Sequence, residues 1–131
     1  MALKFHHIAI ATDNSETTSS IFNKIGFIQN GSFIDKMQDV KIQFVNNEDL
    51  RIELVEPNSE NSPVKNILKK IGVSPYHLCF SSDSFEQDIT FLKDLGFINL
   101  TDEKPAIAFN YKNIIFLYHK NFGLIELIDE K

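Results

Sequence analysis

The 131-residue sequence has one cysteine, no tryptophan and a deficit of positive charge, with 13 Lys plus Arg against 18 Asp plus Glu for a formal net charge of −5. Each shortage excludes something. The lone Cys79 cannot close an intramolecular disulfide or build a cysteine-rich zinc module, and it fits a reducing, cytoplasmic setting. The acidic balance argues against nucleic acid as a partner, because a phosphate-backbone binder is expected to carry a basic face. No apolar run approaches the ~20 residues of a membrane span, and Met1–Phe5 holds no charged-then-apolar secretion signal, so neither membrane insertion nor export is expected. The composition that remains, 43% hydrophobic and 24% charged, predicts one domain over residues 1–131. At that length a chain buries roughly two-thirds of its unfolded surface and needs no disulfide or structural metal.

What the sequence does have is an internal repeat. His7-Ile8-Ala9-Ile10-Ala11-Thr12-Asp13 returns 70 residues later as His77-Leu78-Cys79-Phe80-Ser81-Ser82-Asp83, with Glu16 matched by Glu86. Ile21-Phe22 and Ile25-Gly26-Phe27 return as Phe91-Leu92 and Leu95-Gly96-Phe97 at the same offset. Leu50-Arg51-Ile52-Glu53-Leu54-Val55 reappears as Gly123-Leu124-Ile125-Glu126-Leu127-Ile128 at an offset of 73, so a few residues were gained in a loop. Two copies of one unit fill the chain, about 4–57 and about 75–131, with a tether over about 58–74.

Each copy reads as β-α-β-β-β. A short apolar strand, about 5–11 and 75–81, runs into Asp13 or Asp83 with a glutamate three residues on, the pattern of a capping box. The following helices predict buried faces at Ile21, Phe22 and Ile25, and at Phe85, Ile89, Leu92 and Leu95. Gly26 and Gly96 sit where a left-handed cap ends a helix. Strand-length runs follow at Phe33–Ile34, Val40–Asn46 and Leu50–Glu56, and again at Ala106–Phe109, Ile114–Tyr118 and Leu124–Ile128. Asn46–Asp49 and His119–Gly123 are the expected hairpin turns. The tether carries a helix over about Pro63–Ile71, with Ser62 as its cap and Pro63 at the first helical position.

Alternation along the strands then places the chemistry. With Ile8, Ile10, Leu78 and Phe80 packed under the helices, His7 and His77 fall on the opposite face beside the small residues Ala9, Ala11, Cys79 and Ser81. With Ile52, Leu54, Ile125 and Leu127 in the core, Glu53 and Glu126 point the other way. A single histidine opening an apolar strand is ordinarily a hydrogen-bonded structural residue. These four, however, are the only metal-capable residues matched between the copies at strand positions. Two imidazoles and two carboxylates suit a divalent ion of Mn, Fe, Co, Ni or Zn, provided that a local two-fold brings the faces together. His6 falls on the wrong face and His119 in a turn, and both are read as rim residues. Glu16 and Glu86 are read as caps, Cys79 as a small buried thiol, and Lys65, Lys69 and Lys70 as a solvated face. Phe33, Phe44, Phe109 and Tyr111 are candidate walls of an apolar pocket.

Phe5-His6-His7-Ile8-Ala9-Ile10, Arg51-Ile52-Glu53-Leu54-Val55-Glu56-Pro57, Ser62-Pro63, Tyr76-His77-Leu78-Cys79-Phe80 and Gly123-Leu124-Ile125-Glu126-Leu127 resemble the vicinal oxygen chelate superfamily, also called the glyoxalase and bleomycin-resistance family. The resemblance covers nearly the whole chain. It implies an α+β fold in which two tandem βαβββ units form a concave mixed-sheet cup. Within the superfamily, the His-hydrophobic-Cys-Phe strand, the Glu-Pro followed by Ser-Pro, and Lys112 ahead of Ile114-Ile115-Phe116-Leu117 look most similar to methylmalonyl-CoA epimerases and small bacterial glyoxalase-I-like proteins. The resemblance implies metal ligation by the positions matching His7, Glu53, His77 and Glu126, the second of which is Glu or Gln among relatives. Two stretches depart from the epimerase pattern. Met37 stands where epimerases carry a glutamate, and Phe109-Asn110-Tyr111 replaces an alanine-histidine-glycine-like stretch, predicting a narrower pocket. Asp35 or Asp39 could replace the missing carboxylate only if strand parity shifts.

The resulting expectation is a metal-dependent isomerase or lyase that moves a proton on the carbon beside a chelated carbonyl, with Glu126 or Glu53 as base. The resemblance implies an acyl-CoA thioester or a thiol-adduct hemithioacetal as the small-molecule substrate, and a possible homodimer. Two other classes remain open. A metal-free antibiotic-binding protein would ordinarily lack the four ligands, and an iron oxygenase would use two histidines and one carboxylate.

Overall fold

The computed structural model describes residues 3–131. It contains three α-helices and nine strands, and the chain divides into two compact units. One is His7–Tyr76; the other is His77–Lys131 together with residues 3–6. The α+β class and the repeat are both present.

β1 (Lys4–Ala11), which joins the first unit from His7 on, leads to α1 (Ser15–Lys24), then to β2 (Ile28–Asp35), β3 (Val40–Asn47) and β4 (Leu50–Pro57), and finally to α2 (Val64–Ile71). The strand order is β2-β3-β4-β1, antiparallel except for the parallel β1–β4 pair. The second unit has β5 (Ser74–Ser82), α3 (Phe85–Asp94), β6 (Ile98–Asn99), β7 (Lys104–Ala106), β8 (Lys112–His119) and β9 (Gly123–Asp129). Here β5 is parallel to β9, which pairs with β8, and the short β6 and β7 both lie on β8. The single second strand of the first unit thus corresponds to two fragments. Ala106–Phe109, expected as a strand, contributes only Ala106 to β7; residues Ile107–Phe109 form a 3-10 turn. That turn ends in left-handed backbone at Asn110 and Tyr111, a conformation that breaks a ladder.

The cores lie on the strand faces that alternation sets toward the helices. On the helix side of the first unit, Phe27, Val45, Ile52 and Leu54 cluster, with Ile10 and Phe22 packed against them. On the helix side of the second, Phe85, Ile89, Leu92, Phe97, Ile115, Leu117, Ile125 and Leu127 cluster, joined by Phe80. Burying side chains of this size removes roughly 1.5–3 kcal/mol each from the unfavourable exposure of the unfolded chain.

The helix faces needed correction. Ile21 and Ile25 of α1 are exposed, as is Leu95 after α3. The inward positions of α3 are Phe85, Ile89 and Leu92, which map at the repeat offset onto Ser15, Ser19 and Phe22. Ser19 is indeed buried, with its hydroxyl accepting from Gln43 Nε2 at 3.1 Å. The caps also moved by one residue. Asn14, not Asp13, caps α1, its side chain accepting from Thr17 N at 3.0 Å. Ser84 precedes α3 without a side-chain cap bond. Glu86, expected to complete a capping box, instead meets Glu103. Desolvation first, and then Glu86's hydrogen bond and charge, hold the Glu103 carboxyl above its usual range. The tether helix begins one residue later than expected, at Val64, with Pro63 rather than Ser62 at the N-cap and no side-chain cap bond, although Val64 N reaches Ser62 Oγ at 3.4 Å.

Gly26 and Gly96 close α1 and α3 with φ of +110° and +107°. The reverse 6→1 bonds Phe27 N to Phe22 O (2.9 Å) and Phe97 N to Leu92 O (3.1 Å) mark the Schellman arrangement. A Cβ at Gly96 would stand 3.0 Å from His119 Nε2, whereas at Gly26 its nearest contact is an ordinary 3.7 Å. Both alanine substitutions force an L-residue into left-handed backbone, at about 1–2 kcal/mol. Gly96→Ala must also displace the His119 ring, so thermal denaturation is expected to show the larger loss there; equal losses would mean that the ring moves freely.

Candidate metal centre

Each unit builds a His–Glu pair on the sheet face opposite its helices. In the first, Ala9 is the parallel partner of Glu53, and His7, two residues earlier on the same face, brings Nε2 to 3.3 Å from Glu53 Oε1. In the second, Cys79 is the partner of Glu126, and His77 brings Nε2 to 3.1 Å from Glu126 Oε1. The same construction therefore arises twice, with the histidine two residues ahead of its glutamate's strand partner. The four residues are 0%, 3%, 5% and 2% exposed in the order His7, Glu53, His77, Glu126.

Burial of this degree is informative because a carboxylate removed from water needs a compensating charge or donor. An imidazole supplies a hydrogen bond, and a metal ion supplies charge. The spacing within each pair suits either. Two ligand atoms each about 2.1 Å from one ion, at roughly a right angle, lie about 3 Å apart. The donor set of imidazole nitrogen and carboxylate oxygen is that of a divalent transition metal, so the residues fit the group expected from the sequence.

The neighbouring side chains are apolar. Phe44 is the cross-strand partner of Glu53 and lies 5.9 Å from the His7 ring, and Phe33 stacks edge-on to Phe44 at 6.3 Å. In the second unit, Phe116 is the partner of Glu126 and lies 5.2 Å from His77. Phe44 therefore borders the first pair, with Phe33 packed on it, while Phe116 was not singled out from the sequence. Its only signal in the sequence was its alternation with Ile114; the register of β8 on β9 sets it opposite Glu126. Phe109 is buried edge-on to His6 at 5.3 Å, but Tyr111 is 67% exposed and does not wall a pocket within its unit. His119 receives the Asn121 amide proton at Nδ1 (3.0 Å) and packs on Phe97, a turn-closing role.

Met37, at the position of the expected glutamate, is 63% exposed in the β2–β3 loop. Asp35 shares the face of Glu53 without any shift of parity, because Asp35 pairs with Val40 and Val40 with Pro57. Pro57 is four residues along β4 from Glu53, about 13 Å at strand rise. Asp35 is buried and receives both the Gln38 amide (3.0 Å) and side-chain NH2 (2.8 Å), which locks the loop. Asp39 adopts φ +59° and accepts from the Ser59 hydroxyl, also a loop role.

A family model described as Glyoxalase/Bleomycin resistance protein/Dioxygenase superfamily matches residues 6–116. The chain belongs to that superfamily. Among superfamily members, the mitochondrial methylmalonyl-CoA epimerase of Dictyostelium discoideum is 27% identical over 133 residues, covering 98% of this chain and 78% of its own. A hypothetical protein from Bacillus halodurans superposes with a TM-score of 0.86 at 27% identity, over 100% of this chain and 96% of its own. A Streptomyces coelicolor methylmalonyl-CoA epimerase variant in complex with 2-nitronate-propionyl-CoA gives a TM-score of 0.84 at 25% identity, over 98% of each chain. The superfamily fold expected from the sequence is thus the fold observed. Among the described residues, no helix is long and apolar enough to cross a membrane.

Proposed function

We propose that this chain is a metal-dependent isomerase acting on an acyl-CoA thioester, in the manner of its methylmalonyl-CoA epimerase relatives, with His7, Glu53, His77 and Glu126 as ligands of one divalent ion. The observation that carries this reading is the duplicated, buried His–Glu pair, built at equivalent rungs of equivalent strands. The epimerase relatives favour the thioester over a hemithioacetal.

A bound divalent ion would supply Lewis-acid stabilisation of the negative charge that develops when a proton leaves the carbon beside a carbonyl. The chain's own residues do the rest. His7 and His77 present imidazole nitrogen from rigid strands, which fixes donor positions better than loops would. Glu126 or Glu53 accepts the proton, its carboxylate oxygen already turned toward the site face. The phenylalanine walls keep competing water from the carboxylates, which strengthens every charge interaction there.

The test is elemental analysis of protein purified without chelator or histidine tag, beside a His7→Ala/Glu126→Ala double variant. About one transition metal per chain in the wild type and none in the variant is the expected result. A wild type that neither retains a metal nor takes up Mn, Co, Ni or Zn would make a metal-free binding protein the better reading. Tight metal retention without oxygen consumption separates the isomerase from an iron oxygenase.

A further inference from the structure

The two His–Glu pairs share a third member. Phe44 in β3 is the direct cross-strand partner of Glu53, and its ring stands edge-to-face with the His7 imidazole, centroids 5.9 Å apart and planes at 76°. Phe116 in β8 is the partner of Glu126, and its ring meets His77 at 5.2 Å and 77°. Directly opposed residues on antiparallel strands point to one face, so each phenylalanine stands beside its glutamate and at nearly a right angle to its histidine. The strands themselves, Ile42-Gln43-Phe44-Val45 and Ile114-Ile115-Phe116-Leu117, differ at their second and fourth positions. What recurs is the perpendicular ring next to the imidazole.

We infer that Phe44 and Phe116 are positioning residues that hold the imidazoles of His7 and His77 with Nε2 turned toward Glu53 and Glu126. The terminal torsion of a histidine is broad and roughly two-fold, so without a barrier the ring can turn over and set carbon where nitrogen stood. A perpendicular aromatic ring at 5–6 Å occupies the space that this rotation sweeps, and the edge-to-face contact is itself the favoured geometry for two π-systems. The Nε2–Oε1 separations of 3.3 and 3.1 Å are the outcome. The consequence for metal uptake rests on the functional reading above. Groups that orient metal ligands from behind change affinity by about 10–100-fold when removed.

Phe44→Leu and Phe116→Leu keep an apolar side chain and remove the planar wall. In crystal structures of the metal-free variants, the adjacent imidazole is expected to adopt a second orientation with Nε2 out of hydrogen-bond reach of its glutamate, while the pair in the other unit keeps its geometry. Phe27→Leu, in the helix-side core, is the control for lost packing and should leave both pairs intact. Cobalt(II) titration followed by the visible spectrum of the bound ion should show about tenfold weaker uptake and an altered band for the two site variants, and wild-type behaviour for Phe27→Leu. Should a leucine variant fail to fold, the methionine variant carries the same expectations. Metal-free structures in which both imidazoles keep their orientation overturn the inference whatever the cobalt result. A wild type that takes up no cobalt strikes the metal reading instead, and the metal-free structures still decide the role of the two rings.

Discussion

Glu126→Gln is expected to keep its metal and to lose about 10³-fold in the exchange of the C2 proton of methylmalonyl-CoA with deuterium from solvent, followed by NMR. The amide retains an oxygen that can ligate but cannot accept a proton, and positioned general bases contribute 10²–10⁴-fold. Glu53→Gln is expected to lose less than tenfold. On the proposed reading Glu53 is at a position resembling one where relatives carry either Glu or Gln, so a neutral ligand would serve there and Glu126 would carry the proton. The two carboxylates are otherwise hard to tell apart, being buried to within a per cent of each other and each within 3.3 Å of an imidazole. Wild-type exchange by a metal-loaded Glu126→Gln protein would remove Glu126 from proton transfer. Equal losses in both variants would indicate that both carboxylates handle the proton.

The second large effect is on stability. Leu54 is 0% exposed, immediately follows Glu53 in β4, and packs among Phe27, Val45 and Ile52 on the helix side. Leu54→Ala removes three heavy atoms from a close-packed cluster, and such truncations cost 2–5 kcal/mol according to how far the cavity collapses. For a domain of this size that corresponds to a fall in Tm of roughly 7–18 °C. Because Leu54 faces away from Glu53, the folded fraction at low temperature should bind metal as the wild type does. A loss below about 1 kcal/mol would mean that the neighbouring rings close the space. A loss of metal binding at full foldedness would mean that the strand itself shifts.

Several features were legible in the residues because they are set locally or by symmetry. The two glycines that end the helices are among these, since a φ above +100° admits little else. So is the placement of His7, Glu53, His77 and Glu126 on the strand faces opposite the helices, since strand alternation fixes the face. The cap at Asn14 was less legible. Asp13 and Asn14 are adjacent competitors for one cap position, and the backbone of the preceding turn selects between them. The outward turn of Ile21 and Ile25 was legible only in the comparison with Phe85, Ile89 and Leu92. Hydrophobicity alone favoured the wrong stripe of α1, and the true stripe contains a buried serine satisfied by Gln43.

The sequence by itself determined that the chain is two copies of a βαβββ unit and that each copy carries one histidine and one glutamate on its site face. Periodicity and repetition are properties of order along the chain, and strand geometry converts them directly into faces. Only the tertiary structure decided which atoms meet. The register of β1 against β4 and of β5 against β9 sets the 3.3 and 3.1 Å separations. The register of β3 and β8 stands a phenylalanine behind each pair. The β1–β4 and β5–β9 registers depend on hydrogen bonds between segments some forty to fifty residues apart, and no local pattern encodes a distance between them.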